Sequence, residues 1–160
     1  MSIVSDTGPI LSFARANLLD LLRQVVGTIV IPDAVYADIV VQGAGKSGSS
    51  EIQAASWIIW EAVKDRSFVD QLPTRLHRGE REAIALAKKH SASLLLDERA
   101  ARRTASQLNI PVVGSLRVLK EAKDRGIISL VKPSLDELIA TGTYISDTLY
   151  HTFLRDAGEA

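Results

Sequence analysis

The sequence predicts an α/β fold in which a parallel sheet is covered by helices on both faces. Short strand-like runs such as Ser2-Ile3-Val4-Ser5, Thr28-Ile29-Val30-Ile31 and Ser93-Leu94-Leu95-Leu96 recur along the chain, and stretches of helical periodicity separate them. The β-branched run at 28–31 is apolar at consecutive positions, as a strand buried on both faces must be. The first run and the run at 93–96 each feed directly into an acid, Asp6 and Asp97.

Taken in order, Gly8-Pro9 after Asp6 opens a helix with proline where no hydrogen bond is lost. Ile10, Leu11, Phe13 and Ala14 continue into Leu18, Leu19, Leu21, Leu22 and Val25, which predicts two successive helices broken near Asn17. Pro32-Asp33 closes the second strand and starts a helix over 33–41 that buries Val35, Ile39 and Tyr36 and turns Asp38 to another face. Gln42 to Ser50 is rich in glycine and serine and predicts a mobile surface loop. Its Gly45-Lys46-Ser47 is not a nucleotide loop, because Val40 stands where the first glycine belongs and a helix precedes it. Trp57 to Val63 has the composition of a strand at a sheet edge. Gly79 to His90 predicts an alanine-rich helix burying Ala83, Ile84 and Ala87, with Glu80 and Arg81 beside or opposite that face. A helix over 98–108 faces Ala101, Ala105 and Leu108 inward and leaves Arg99, Arg102, Arg103 and Ser106 to point elsewhere. Ile110-Pro111-Val112-Val113 is a short strand, Gly114-Ser115 a turn, and 116–125 a helix stopped by Gly126 at C′. Two further helices are expected over 134–140 and 146–156, whose Tyr144, Ile145, Leu149, Tyr150, Phe153 and Leu154 either cover the core or form a dimer contact, the core being the expectation.

At 160 residues and 46% hydrophobic content the chain is expected to form one domain over 1–160 with a full core. There is no cysteine, which excludes disulfides, thiolate metal sites and cysteine nucleophiles and is compatible with a reducing compartment. Any metal must be held by oxygen or histidine. No leader is read at the start and no apolar run approaches the roughly 20 residues that span a bilayer, so a cytoplasmic protein is expected. Lys plus Arg equals Asp plus Glu at 19 each, so net charge does not announce a nucleic-acid partner.

In a parallel sheet the carboxyl ends of the strands bind ligands. Asp6 and Asp97 would then share one rim, joined by Asp38 and Glu80 from helices that begin there. Carboxylates gathered without a cation repel one another, and Mg²⁺ or Mn²⁺ held by oxygen ligands removes that cost. The chemistry such a site offers is metal-assisted hydrolysis of a phosphodiester. Structural roles compete: Asp6 and Asp97 as helix N-caps worth about 1 kcal/mol each, Asp38 as a solvated helix residue, Glu80 as a first-turn acid complementing the helix dipole. One residue of error in helix phase exchanges Glu80 with Glu82 or Asp97 with Glu98. Arg99, Arg102 and Arg103, followed by Arg117, Lys120, Lys123 and Arg125, either form solvated helix faces or grip a phosphate backbone. Thr7, Ser12 and Ser115 are candidates to hydrogen-bond the carboxylates. His77, His90 and His151 lack ligand-like spacing and read as surface residues.

Ser5-Asp6-Thr7-Gly8-Pro9, Ile31-Pro32 followed by a helical acid, Gly79-Glu80-Arg81-Glu82-Ala83-Ile84-Ala85-Leu86-Ala87 and Leu95-Leu96-Asp97-Glu98-Arg99-Ala100-Ala101-Arg102 together resemble the PIN-domain (PilT N-terminus) nuclease family. Val113-Gly114-Ser115-Leu116 and Lys123-Asp124-Arg125-Gly126-Ile127-Ile128 are similar to one prokaryotic, toxin-like branch of it. The resemblance implies a three-layer α/β/α fold with about five parallel strands and a Mg²⁺- or Mn²⁺-dependent endoribonuclease acting on single-stranded RNA. It implies a toxin of a type II toxin-antitoxin pair, with a cognate antitoxin and a homodimer. By position, Asp6, Asp38, Glu80 and Asp97 match the catalytic acids, with Asp6, Glu80, Asp97 and Glu98 as metal ligands. Thr7, Arg99, Arg102, Arg103 and Ser115 are expected to contact substrate. The second acid is usually Glu and the third often Asp, so Asp38 and Glu80 alter reach while keeping charge. A fold that kept only nucleic-acid or protein binding is the alternative reading. A flavodoxin-like receiver of a phosphoryl group is a weaker one, since Val112-Val113-Gly114-Ser115 lacks the lysine it needs.

Overall fold

Ten α-helices, one π-helical turn and five strands are found among the described residues, 3–160, of the computed structural model. Ser2, read as the start of the first strand, lies outside that range. The strands are β1 Ile3–Ser5, β2 Ile29–Ile31, β3 Ile58–Trp60, β4 Ser93–Leu95 and β5 Val112–Val113. They pair only in parallel, in the order β3-β2-β1-β4-β5. β3 is an edge, as its composition predicts. The order reverses between β1 and β4, so the crevice in which an open parallel sheet binds ligands falls between those two strands.

Side-chain alternation explains the three layers. Ile3, Ile29, Ile31 and Leu95 join Ile10, Phe13, Leu22, Val35, Leu119 and Leu135 in one core. Val4, Val30, Leu94 and Leu96 join Ile84, Leu86, Ala101 and Ala105 in a second. A strand's period of two sends neighbouring residues to opposite faces, so these strands must be sandwiched.

The first core is covered by α1 Thr7–Arg15, α2 Leu19–Val26, α3 Asp33–Tyr36, α4 Ser49–Ala54, α8 Ser115–Asp124, α9 Lys132–Ala140 and α10 Asp147–Asp156. The second is covered by α5 Arg66–Gln71, α6 Arg78–His90 and α7 Arg99–Gln107. The predicted break between α1 and α2 is Asn17, with φ of 58°. Gly126 is the predicted C′ residue of α8, with φ of 74°. Its amide donates to Lys123 O at 3.0 Å and that of Ile127 to Ala122 O at 2.8 Å, a Schellman closure.

Three local expectations need correction. The helix expected over 33–41 is α3 followed by a π-helical turn, Ala37–Val41, which carries Asp38. The mobile loop expected over 42–50 stops short: Ser49 begins α4, where Ile52 is buried and Ser49 Oγ donates to Ile39 O at 2.8 Å. Tertiary burial of one isoleucine outweighs the weak local signal of a six-residue helix. The C-terminal apolar residues divide: Leu154 is buried and Ile145, Tyr150 and Phe153 pack on the core, whereas Tyr144 and Leu149 are exposed.

Candidate active site

Asp6 follows β1 and occupies the N-cap position of α1, yet its side chain makes no capping bond to the helix. The Asp6 amide donates to Leu95 O at 3.1 Å, which pins it to the end of β4. Its carboxyl faces two others. Gly79, in the first turn of α6, leaves the space in which they meet: a Cβ built there would stand 3.3 Å from Asp6 Oδ1 and 3.4 Å from Asp38 Oδ2. Asp38 is brought in by the π turn, and Thr7 Oγ1 donates to Asp38 Oδ2 at 2.9 Å. Glu80 is buried one residue after Gly79, with Oε1 accepting the His77 amide at 2.8 Å. Glu80 therefore closes the first turn of α6 and also presents its charge to the site.

These acids act on one another. Burial pushes the Asp6 carboxyl up to about 6, the Thr7 amide opposes this, and the charges of Glu80 and Asp38 add to it while His77 pulls the other way. A carboxyl so disfavoured as an anion, with two acids beside it, is the environment that a hard cation would stabilise.

Helix phase separates Glu80 from Glu82. Residues two apart on a helix point about 200° apart, so only one of the pair can face Asp6. Glu82 faces α3: its Oε1 accepts the Ala34 amide at 2.9 Å, and its Oε2 meets Arg66 Nη1 and Arg78 Nε, each at 3.1 Å. It is fully buried and holds the start of the helix that delivers Asp38.

Asp97 is not among the groups that act on Asp6. Neither it nor its neighbour behaves as the N-cap expectation had it: Glu98, not Asp97, caps α7, its Oε1 accepting the Ala100 amide at 2.8 Å. Asp97 instead bonds the start of α8, accepting from Ser115 N at 2.8 Å and Ser115 Oγ at 2.5 Å. Thr7 and Ser115 thus do hydrogen-bond two of the acids. Arg102 Nη1 donates to Leu96 O at 3.2 Å and lies against Gly114, while Arg99 and Arg103 are exposed. The three histidines are exposed, as expected; His90 pairs with Glu61.

Among the described residues no three His, Asp or Glu side chains stand in an arrangement that would hold a metal ion. Mg²⁺ does not need one, since it keeps several waters and binds through one or two carboxylates plus substrate phosphates. Asp6 and Asp38, on either side of the space at Gly79 with Glu80 beside them, would supply that oxygen-only donor set. A cavity of about 820 Å³ opens at the amino ends of the strands around Ile3, Gly27, Thr28 and Ser93, and none of the candidate acids lines it.

Fold and site together define a parallel α/β protein with an acid-lined crevice at the switch point of its sheet. The chain belongs to the PIN-domain family: the family model described as PIN domain matches residues 2–159. A solved structure of a PilT N-terminus domain protein from the hyperthermophilic archaeon Sulfolobus solfataricus P2 shares this fold, with a TM-score of 0.52 at 14% identity, over 91% of this chain and 98% of that one. No curated protein matches the sequence. The fold is therefore of nuclease type.

Proposed function

We propose that the protein is a metal-dependent endoribonuclease that hydrolyses phosphodiester bonds of single-stranded RNA, within one PIN domain spanning the chain. The observation that carries this reading is the half-buried Asp6 carboxyl, crowded by Asp38 and Glu80 at the switch point. A bound Mg²⁺ or Mn²⁺ supplies neutralisation of the acids and a water of lowered pKa. Asp6 and Asp38 would hold the cation, and Glu80 would lend negative charge beside them. Thr7 fixes the Asp38 carboxylate, which offsets the methylene that Asp38 lacks relative to the usual Glu. Asp97, oriented by Ser115, borders the substrate side of the crevice. Arg99, Arg102 and Arg103 contribute cationic contacts to the RNA backbone, which position without reading sequence. Glu98 and Glu82 are left to their structural bonds.

The toxin role, a cognate antitoxin, a homodimer and a prokaryotic cytoplasm rest on the resemblance to the toxin-like branch. No helix among the described residues is long and apolar enough to cross a membrane. The test is cleavage of single-stranded RNA in Mn²⁺ by the parent and by Asp6→Asn, with calorimetric titration of Mn²⁺ in parallel. Parental cleavage rates in the variant overturn the assignment. The second reading, a binding module without turnover, is favoured by the engagement of both Asp97 oxygens with Ser115. RNA binding without Mn²⁺ heat or cleavage in the parent selects it.

A further inference from the structure

A cleft of about 430 Å³, lined by Asp97, Val112 and Gly114 among others, opens at the carboxyl ends of β4 and β5. Its walls include Asp97, Arg102, Arg117, Thr143, Tyr144 and Leu149. Four features suit one kind of occupant. Arg102 and Arg117 both line the cleft, and arginine is suited to phosphate oxygens. The one carboxylate there is already occupied, since both Asp97 oxygens accept from Ser115. Thr143 Oγ1 is buried without a hydrogen-bond partner, one of two such side-chain atoms among the described residues beside Arg81 Nε. Tyr144 is 89% exposed at the mouth, an aromatic ring that folding leaves unburied.

We propose that this cleft is a subsite for one nucleotide of single-stranded RNA, next to the nucleotide that is cut. Its base stacks on Tyr144, its phosphate meets Arg102 and Arg117, and Thr143 Oγ1 bonds its sugar or base edge. Leu149 supplies apolar surface beneath the ring. The volume falls within the roughly 300–1,000 Å³ of small-ligand sites and suits a single nucleotide. A stacking platform beside cations is how sequence-tolerant single-strand binding is built. The subsite rests on the nuclease reading only for its neighbour: the strand leaving the acids at β1 passes Asp97 before reaching it.

Binding is read by fluorescence anisotropy of an end-labelled single-stranded RNA of about eight nucleotides, in EDTA so that cleavage does not enter. Tyr144→Ala is expected to weaken binding about tenfold, while Tyr144→Phe keeps the ring and binds as the parent does. Arg117→Ala is expected to lower the slope of log affinity against log salt by roughly 0.7. Tyr144→Ala binding at parental strength, or a parent that binds no RNA, overturns the subsite. RNA binding indifferent to both substitutions is the outcome expected of a cleft that receives a polypeptide, and it also overturns the proposal. Displacement of the RNA by inorganic phosphate equally from parent and Tyr144→Ala marks an anion site without a base platform, and it overturns the proposal as well. Mn²⁺-dependent cleavage by the parent beside a silent Tyr144→Ala removes the subsite and leaves the nuclease. Tyr144-dependent binding by a protein that cleaves nothing retains the subsite and removes the nuclease.

Discussion

A carboxyl whose pKa lies near 6 in the folded chain and near 3.8 ordinarily binds more protons folded than unfolded between those values. The stability this group contributes is fully present below about pH 4 and is lost as pH rises through about 6. At pH 8 the loss is on the order of 3 kcal/mol, since each pKa unit is worth about 1.4. Asp6→Asn removes the ionisation while keeping the shape. The metal-free variant is therefore expected to melt several degrees above the parent at pH 8, with the gap closing toward pH 4. Coincident melts at pH 8 would sink the account of Asp6 as an uncompensated charge. Gly79 permits a complementary test. Helix propensity favours Gly79→Ala by up to about 1 kcal/mol, but the new methyl would press on Asp6, Asp38 and Val35 Cγ2 at 3.3–3.4 Å. The variant is expected to melt close to the parent yet lose about tenfold or more in Mn²⁺-dependent RNA cleavage. Unchanged cleavage would mean that the acids do not work together across that gap.

At the scale of elements, α6 carries two glutamates with opposite assignments. Glu80 faces the crevice, while Glu82 anchors the amino end of α3 and two arginines whose side chains are 46% and 69% exposed. Those arginines can return to solvent when the glutamate is neutralised, so the cost falls mainly on the buried bond to Ala34. Glu82→Met, which takes away the acceptor and leaves the Ala34 amide buried and unpaired, is expected to destabilise the protein by about 1–3 kcal/mol, lowering the melting temperature by roughly 5 °C. Thermal unfolding followed by circular dichroism checks this. A melting temperature equal to the parent's would show that α3, and with it Asp38, is held by other contacts. The exchange of roles between neighbouring helix positions also explains why the third acid stays ambiguous until the phase of α6 is seen.

For the whole molecule, five strands of two or three residues each rely on helical cover rather than on ladder length. The switch point then follows from chain order, because β4 crosses to the other flank of β1. A cation bound there acts on the global stability: occupancy at about a hundredfold over Kd is worth roughly 2.7 kcal/mol. Because Asp6 must be an anion to hold it, the Mn²⁺-induced rise in melting temperature is expected to be clearly larger at pH 7.5 than at pH 5. Melts with and without Mn²⁺ at the two pH values test this, and a shift independent of pH would remove Asp6 from the ligands.

Local patterns sufficed for much of this. Consecutive apolar residues, the Asn17 break, the Gly126 stop and the acids after β1 and β4 depend on dihedral preferences and on periods of two and 3.6, which neighbouring residues set among themselves. Other features needed distant partners. Glu82 meets Ala34 48 residues away, Asp97 meets Ser115 18 residues away, and Gly79 completes a gap between Asp6 and Asp38. The sequence by itself determined a parallel α/β fold and the residues able to stand at its rim. Only the tertiary structure decided which carboxylates share a pocket, which spend their oxygens on helix ends, and that Tyr144 stays in solvent, because those outcomes depend on how separate elements pack.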